Sequence, residues 1–151
     1  MITIKRGSIH DVELVVDLIS ELLTELDGTN FTNTVSTKEI WKWITNEDYI
    51  VFMAYPAENH QPVAIITLTE ARSIYAQGAF GIIEELYVKP DFRSQHIGTQ
   101  MLHHVISFSK TKKWTRLEVG APDKQHWMDT FHFYKNNGFI EVGPRLKYPL
   151  G

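Results

Sequence analysis

The stretch from Gly81 to Phe108 constrains this chain more than any other. A β-rich run over 81–88 leads into Lys89-Pro90 and a short loop. Ile97, Met101, Leu102, Val105, Ile106 and Phe108 then recur at helical spacing. A strand that feeds a helix through so tight a loop leaves the first helical amides without intrahelical partners, at the positive end of the helix dipole. Such a corner accepts a phosphate or pyrophosphate. It is not a Walker loop, because no Gly-Lys-Ser/Thr follows, and it lacks two of the three glycines of the dinucleotide fingerprint. An ordinary capped strand–helix connection has the same spacing, so both readings stand at this level.

The remaining segments fall into place around it. Ile2 to Arg6 alternates as a short strand. Ser8 and Asp11 form a capping-box-like pair in front of a helix over 9–26, whose apolar positions run from Val12 to Leu26. Asp27-Gly28 stops it, and 29–35 is polar and loop-like. Ser36 with Glu39 caps a second helix carrying Ile40, Trp41, Trp43 and Ile44. Strands are expected over 49–55 and 63–68, with 71–78 ambiguous. Arg116 to Val119 reads as a strand and Trp127 to Asn137 as a helix, with Gly138 placed for a left-handed C-terminal cap. Phe139 to Val142 and Leu146 to Leu150 read as final strands. This order describes one mixed α/β (α+β) domain over residues 1–151.

Composition sets the outer limits. A chain of 151 residues with 43% hydrophobic and 22% charged residues supports a single core. A net charge of −3 argues against general nucleic-acid binding, which needs a basic surface. With no cysteine there are no disulfides, thiolate nucleophiles or thiolate metal sites, and the seven histidines show no compact ligand spacing, so no metal site is expected. No signal-peptide pattern opens the chain, and no apolar run approaches the ~20 residues that span a bilayer. The expectation is a cytoplasmic protein without a membrane partner. Charge is unevenly shared: residues 1–60 carry a net −6 and residues 61–151 a net +3.

Leu86-Tyr87-Val88-Lys89-Pro90, followed by Arg93-Ser94-Gln95-His96-Ile97-Gly98, resembles motif A of the GNAT superfamily of acetyl-CoA-dependent N-acetyltransferases. That motif is a Leu-Tyr-Val-like strand end, then Pro, then Arg/Gln-x-x-Gly-x-Gly/Ala opening a helix. Phe133-Tyr134-Lys135-Asn136-Asn137-Gly138-Phe139 is similar to the family's Phe-Tyr-x-x-x-Gly-Phe. The resemblance covers the whole chain in element order. It implies a mixed, mostly antiparallel central sheet with helices on both faces, in a fold that often forms homodimers. It also implies direct acetyl transfer from acetyl-CoA to a primary amine.

Site roles follow from the same resemblance. Backbone amides of Leu86, Tyr87 and Val88 would polarise the thioester carbonyl. Arg93 and the amides of Ser94, Gln95, His96, Ile97, Gly98 and Thr99 would hold the pyrophosphate. His96 replaces the first motif glycine. If it is left-handed, it costs about 1 kcal/mol or more; if right-handed, nothing. Its ring either donates to a phosphate or is simply exposed. Trp127 replaces a frequent asparagine and packs on the pantetheine arm or at the edge of the core. Side chains alternate along a strand, so only one of Glu84 and Glu85 is expected to face the cleft and receive the amine's proton, with family matching favouring Glu84. Tyr134 would protonate the departing thiolate, although Trp127, Phe131 and Tyr134 also fit a core aromatic stripe. The acidic N-terminal part, which borders the family's acceptor pocket, suggests a small cationic amine, polyamine-like or aminoglycoside-like. Two alternatives remain open: a non-catalytic acyl-CoA-binding or regulatory domain, and a protein or peptide N-acetyltransferase.

Overall fold

In the computed structural model, residues 1–27, 35–120 and 128–151 are described. Chain contacts divide the protein into two compact units, 1–118 and 119–151. In the first unit, β1 (Ile2–Arg6) leads into a 3-10 turn (Ile9–Asp11) and α1 (Val12–Asp27). The Ser8–Asp11 pair is a complete capping box: the Asp11 carboxylate accepts from Ser8 N–H at 2.8 Å, and the Ser8 hydroxyl accepts from the turn's amides. In α2 (Thr37–Thr45), Ser36 accepts from Glu39 N–H at 3.1 Å. Strands β2 (Ile50–Pro56), β3 (Ala64–Ser73) and β4 (Gly78–Val88) follow. The stretch left ambiguous by its sequence is the tip of the β3–β4 hairpin, held by Ala76 N–H donating to Ser73 Oγ and turned by left-handed Gln77. A 3-10 turn (Pro90–Phe92), α3 (Ile97–Thr111) and β5 (Leu117–Val119) complete this part of the chain.

The five strands lie in the order β1-β2-β3-β4-β5, and the first three pairings are antiparallel. The link from β4 to β5 runs through α3, the kind of crossover that makes a sheet mixed. Alternation along β2 gives the sheet two apolar faces. Val51 and Met53 join Val15, Leu18 and Ile40 of α1 and α2 in one core cluster. Phe52 points the other way, with its ring 4.7 Å from that of His104 and 5.2 Å from that of Phe108 on α3. Helices therefore cover both faces. Gly81 admits Trp114 to this layer: a Cβ there would lie 2.3 Å from the indole. The indole N–H donates to Glu70.

In the second unit, α4 (Met128–Asn136) ends at Gly138, whose φ of 94° supplies the expected left-handed cap. Trp127 lies outside the described residues. The two strands expected over 139–142 and 146–150 do not form. Ile140, Val142, Leu146, Tyr148 and Leu150 alternate as a strand would, yet all are exposed. Alternation supplies a face, but a strand also needs a partner ladder, and among the described residues nothing pairs with this stretch. Pro144, between the two runs, also lacks a donor.

Candidate active site

The pairing of β3 with β4 slips by one residue. Thr67 faces Glu85, but the next residue, Leu68, faces Ile83, so Glu84 is the extra residue of β4 in the register. This is a β-bulge, which bends the strand and re-aims side chains. Its consequence contradicts the expectation from simple alternation: Glu84 and Glu85 both line the same cavity. That cavity has a volume of about 520 Å³, within the range of roughly 300–1,000 Å³ usual for small-molecule sites. Val15, Val16, Ile19 and Leu23 of α1 form one wall, and Val35 with Ile40 and Trp43 of α2 forms another. The strand side is polar, with Asp48, Tyr49, Thr69, Glu84 and Glu85.

Glu85 is fixed in this cavity. The Tyr49 and Thr67 hydroxyls both donate to its Oε1, and its own N–H donates to Thr67 Oγ1 at 3.0 Å. Thr67 is wholly buried, so its hydroxyl has a strong reason to be paired. Burial first, and then the Glu85 charge, push the Tyr49 phenol well above its ordinary range, which keeps it a donor. The Tyr49 ring tilts against Trp43 at 5.7 Å between centroids. Sequence reasoning passed over Tyr49, Thr67 and the cavity role of Trp43. Tyr49 and Thr67 lie 36 and 18 residues from Glu85, and no local spacing joins them to it.

The loop after β4 forms a second feature. Ser94 and His96 both have φ of 62°, so of the two alternatives for His96 the left-handed one holds. His96 is the N-cap residue just before α3 and gives the helix no side-chain cap. The backbone amides that open α3, those of Ile97, Gly98 and Thr99, thus suit an anion such as the pyrophosphate of a nucleotide-based cofactor. Arg93 is engaged within the chain: its Nε donates to the Val88 carbonyl at 2.9 Å, and its guanidinium pairs with Glu25 of α1 at 2.9 Å. Lys89 pairs with Glu21 at 3.5 Å. Gln95 reaches the Asp91 carbonyl at 3.5 Å. Leu86 and Val88 are half-buried, while Tyr87 is buried and donates its phenol to Glu21.

These pairs change the electrostatic picture drawn from composition. Glu21 and Glu25 are matched by Lys89 and Arg93, Glu47 lies 3.8 Å from Arg6, and Asp11 caps a turn. The acidic side chains that line the cavity are Asp48, Glu84 and Glu85, of which Asp48 alone belongs to the acidic first sixty residues.

Tyr134 belongs to the second unit, on α4. It is buried between the rings of Phe133 and Phe139, at 5.1 and 5.3 Å. Burial raises its phenol well above the ordinary value, so it is protonated at neutral pH and able to donate. Among the described residues no group of three or more acidic or histidine side chains is arranged to hold a metal ion. No described helix is long and apolar enough to cross a membrane.

The family model for the acetyltransferase (GNAT) domain matches residues 47–141. An uncharacterised N-acetyltransferase of Archaeoglobus fulgidus is 24% identical over 119 residues, covering 78% of this chain and 81% of that protein. Among solved structures, an aminoglycoside acetyltransferase from an uncultured soil metagenomic sample superposes with a TM-score of 0.83 at 18% identity, covering 99% of this chain and 97% of that one. A predicted acetyltransferase of Clostridium acetobutylicum, crystallised with acetyl-CoA, gives a TM-score of 0.80 at 18% identity, covering 99% and 96%.

Proposed function

The chain belongs to the GNAT family of acetyltransferases and takes its acetyl group from acetyl-CoA; from that premise we propose that it acetylates a small cationic amine held in the cavity behind Glu84 and Glu85. The family match spans both units, which supports reading residues 1–151 as one catalytic domain. The observation that carries the proposal is the bulge, which turns two consecutive carboxylates into one cavity.

Acetyl-CoA supplies an activated thioester. The amides from Ser94 to Thr99 would hold its pyrophosphate while Arg93, expected from the motif to join them, braces the loop through the Val88 carbonyl and Glu25; the amides of Leu86 to Val88 would steady the carbonyl oxygen as charge develops there. Glu85, fixed by Tyr49 and Thr67, orients the substrate ammonium. Glu84, exposed at the bulge, takes the ammonium's proton and returns it to solvent. The nitrogen then bonds to the carbonyl carbon and sheds its second proton to water as the carbon–sulfur bond breaks. By the resemblance of 133–139 to the family motif, Tyr134 gives its proton to the sulfur and is reprotonated from water. The products are an N-acetyl amine, a free thiol and one released proton. Trp127 stands where the family often has an asparagine, and the two roles expected for it, on the pantetheine arm or at the edge of the core, both stay open.

Release of CoA thiol from acetyl-CoA over a panel of amines and peptides tests the reading. Thiol release with small cationic amines is expected. Binding of acetyl-CoA with no turnover of any amine would favour a regulatory domain of the same fold, and a preference for peptides would favour a protein N-acetyltransferase.

A further inference from the structure

We infer that the acceptor is a primary amine with one positive charge on an apolar, ring-bearing body; this rests on the acetyl-transfer reading above and narrows it. The charge imbalance between the two parts of the chain, taken alone, puts polyamines and aminoglycosides first. The cavity reverses that order. Its carboxylates stand on one side, on the bulge and beside Tyr49, whereas the α1 wall of Val15, Val16 and Ile19 is hydrocarbon. A second ammonium placed against that wall would lose its hydration and gain no counter-charge. The nearby acids of α1, Glu21 and Glu25, are turned to Lys89 and Arg93. The hydroxyls of an aminoglycoside would meet the same surface without partners. A hydrocarbon body instead gains by leaving water. Trp43 and Tyr49, tilted at 60° to one another, present ring surfaces on which an aromatic group packs edge-to-face or offset.

The test compares kcat/KM for 2-phenylethylamine, hexylamine, ethylamine, spermidine and kanamycin at fixed acetyl-CoA, by thiol release. 2-Phenylethylamine is expected to exceed ethylamine and spermidine by at least tenfold, with hexylamine between, since each methylene in an apolar pocket discriminates by about 10-fold or more. Val16→Thr keeps the shape of the wall and adds a hydroxyl. It is expected to raise KM for 2-phenylethylamine several-fold while altering KM for ethylamine less. Trp43→Ala should narrow the gap between 2-phenylethylamine and hexylamine, and thermal melting checks that both variants fold. Spermidine or kanamycin equal to or better than 2-phenylethylamine overturns the inference and leaves acetyl transfer standing. No thiol release from any amine overturns the acetyl-transfer reading and the inference with it.

Discussion

The cavity behind Glu84 and Glu85 draws its lining from α1, α2, the residues just before β2, and strands β3 and β4, whereas the loop from Lys89 to Ile97 is one unbroken run of chain. In the loop, what is offered to a ligand is backbone: amides at the start of α3, placed by two left-handed residues. In the cavity it is side chains, brought together by a one-residue slip in strand register and held by hydroxyls far away in sequence. A backbone site depends on a short local sequence and tolerates many side chains. A convergent site depends on long-range packing and can change its ligand with a few wall residues.

The comparison breaks most sharply at the carboxylates. Glu84→Gln is expected to lower kcat by roughly 10²–10⁴, the usual worth of a general base, with acetyl-CoA affinity unchanged. Glu85→Gln should act mainly on KM for the amine if, as proposed, that residue orients the ammonium and Glu84 accepts its proton. Steady-state kinetics across pH separates them. If Glu85→Gln shows the larger loss in kcat, the two roles are exchanged. If Tyr134 protonates the thiolate as proposed, Tyr134→Phe should lower kcat by a similar factor and leave acetyl-CoA binding alone. An undiminished rate where chemistry limits turnover would return Tyr134 to a packing role.

On the loop side the expected effect is smaller and falls on binding. Gly98→Val brings a branched side chain to the first turn of α3, where the anion would approach the backbone. A loss of at least tenfold in acetyl-CoA affinity is expected, about 1.4 kcal/mol, measured by calorimetric titration. Wild-type affinity in a folded variant would remove the pyrophosphate from this corner. The amine KM measured at saturating acetyl-CoA should move little, which keeps the two regions distinct.

What could be read from the sequence follows the same division. The caps at Ser8 and Ser36, the left-handed Gly138 and the loop that opens α3 are local patterns, and each is present. The fold class was legible for the same reason, since its elements announce themselves by period and cap. The bulge was not legible. Alternation sent Glu84 and Glu85 to opposite faces, and only the pairing of β4 with β3 reveals the extra residue. Tyr49 and Thr67 carry no motif; they matter because β3 lies beside β4 and the residue that leads into β2 reaches the Glu85 carboxylate. The C-terminal stretch failed in the opposite sense: Ile140, Val142, Leu146, Tyr148 and Leu150 have a strand's pattern without a strand's partner.

The smallest effect is the most diagnostic of the loop. His96 holds a left-handed conformation that costs a residue with a Cβ about 1–2 kcal/mol, although histidine enters it more readily than most. His96→Gly removes that strain. It also frees the unfolded chain, which costs about 0.4–1 kcal/mol in the other direction. The net gain is then about 0.5 kcal/mol, a rise in Tm of about 1–2 °C for a chain of this size. His96→Val, which is branched at Cβ, should instead lower Tm, because such residues are outliers at positive φ. Acetyl-CoA affinity gives the second readout. If the amides of α3 hold the anion, His96→Gly leaves affinity within about twofold, since the backbone they depend on is preserved or eased. If the imidazole itself donates to a phosphate, affinity falls by about tenfold, the worth of a hydrogen bond to a charged group. The expected result is a higher Tm with affinity retained. A retained Tm with lost affinity would make this loop a side-chain site after all, built as the cavity is.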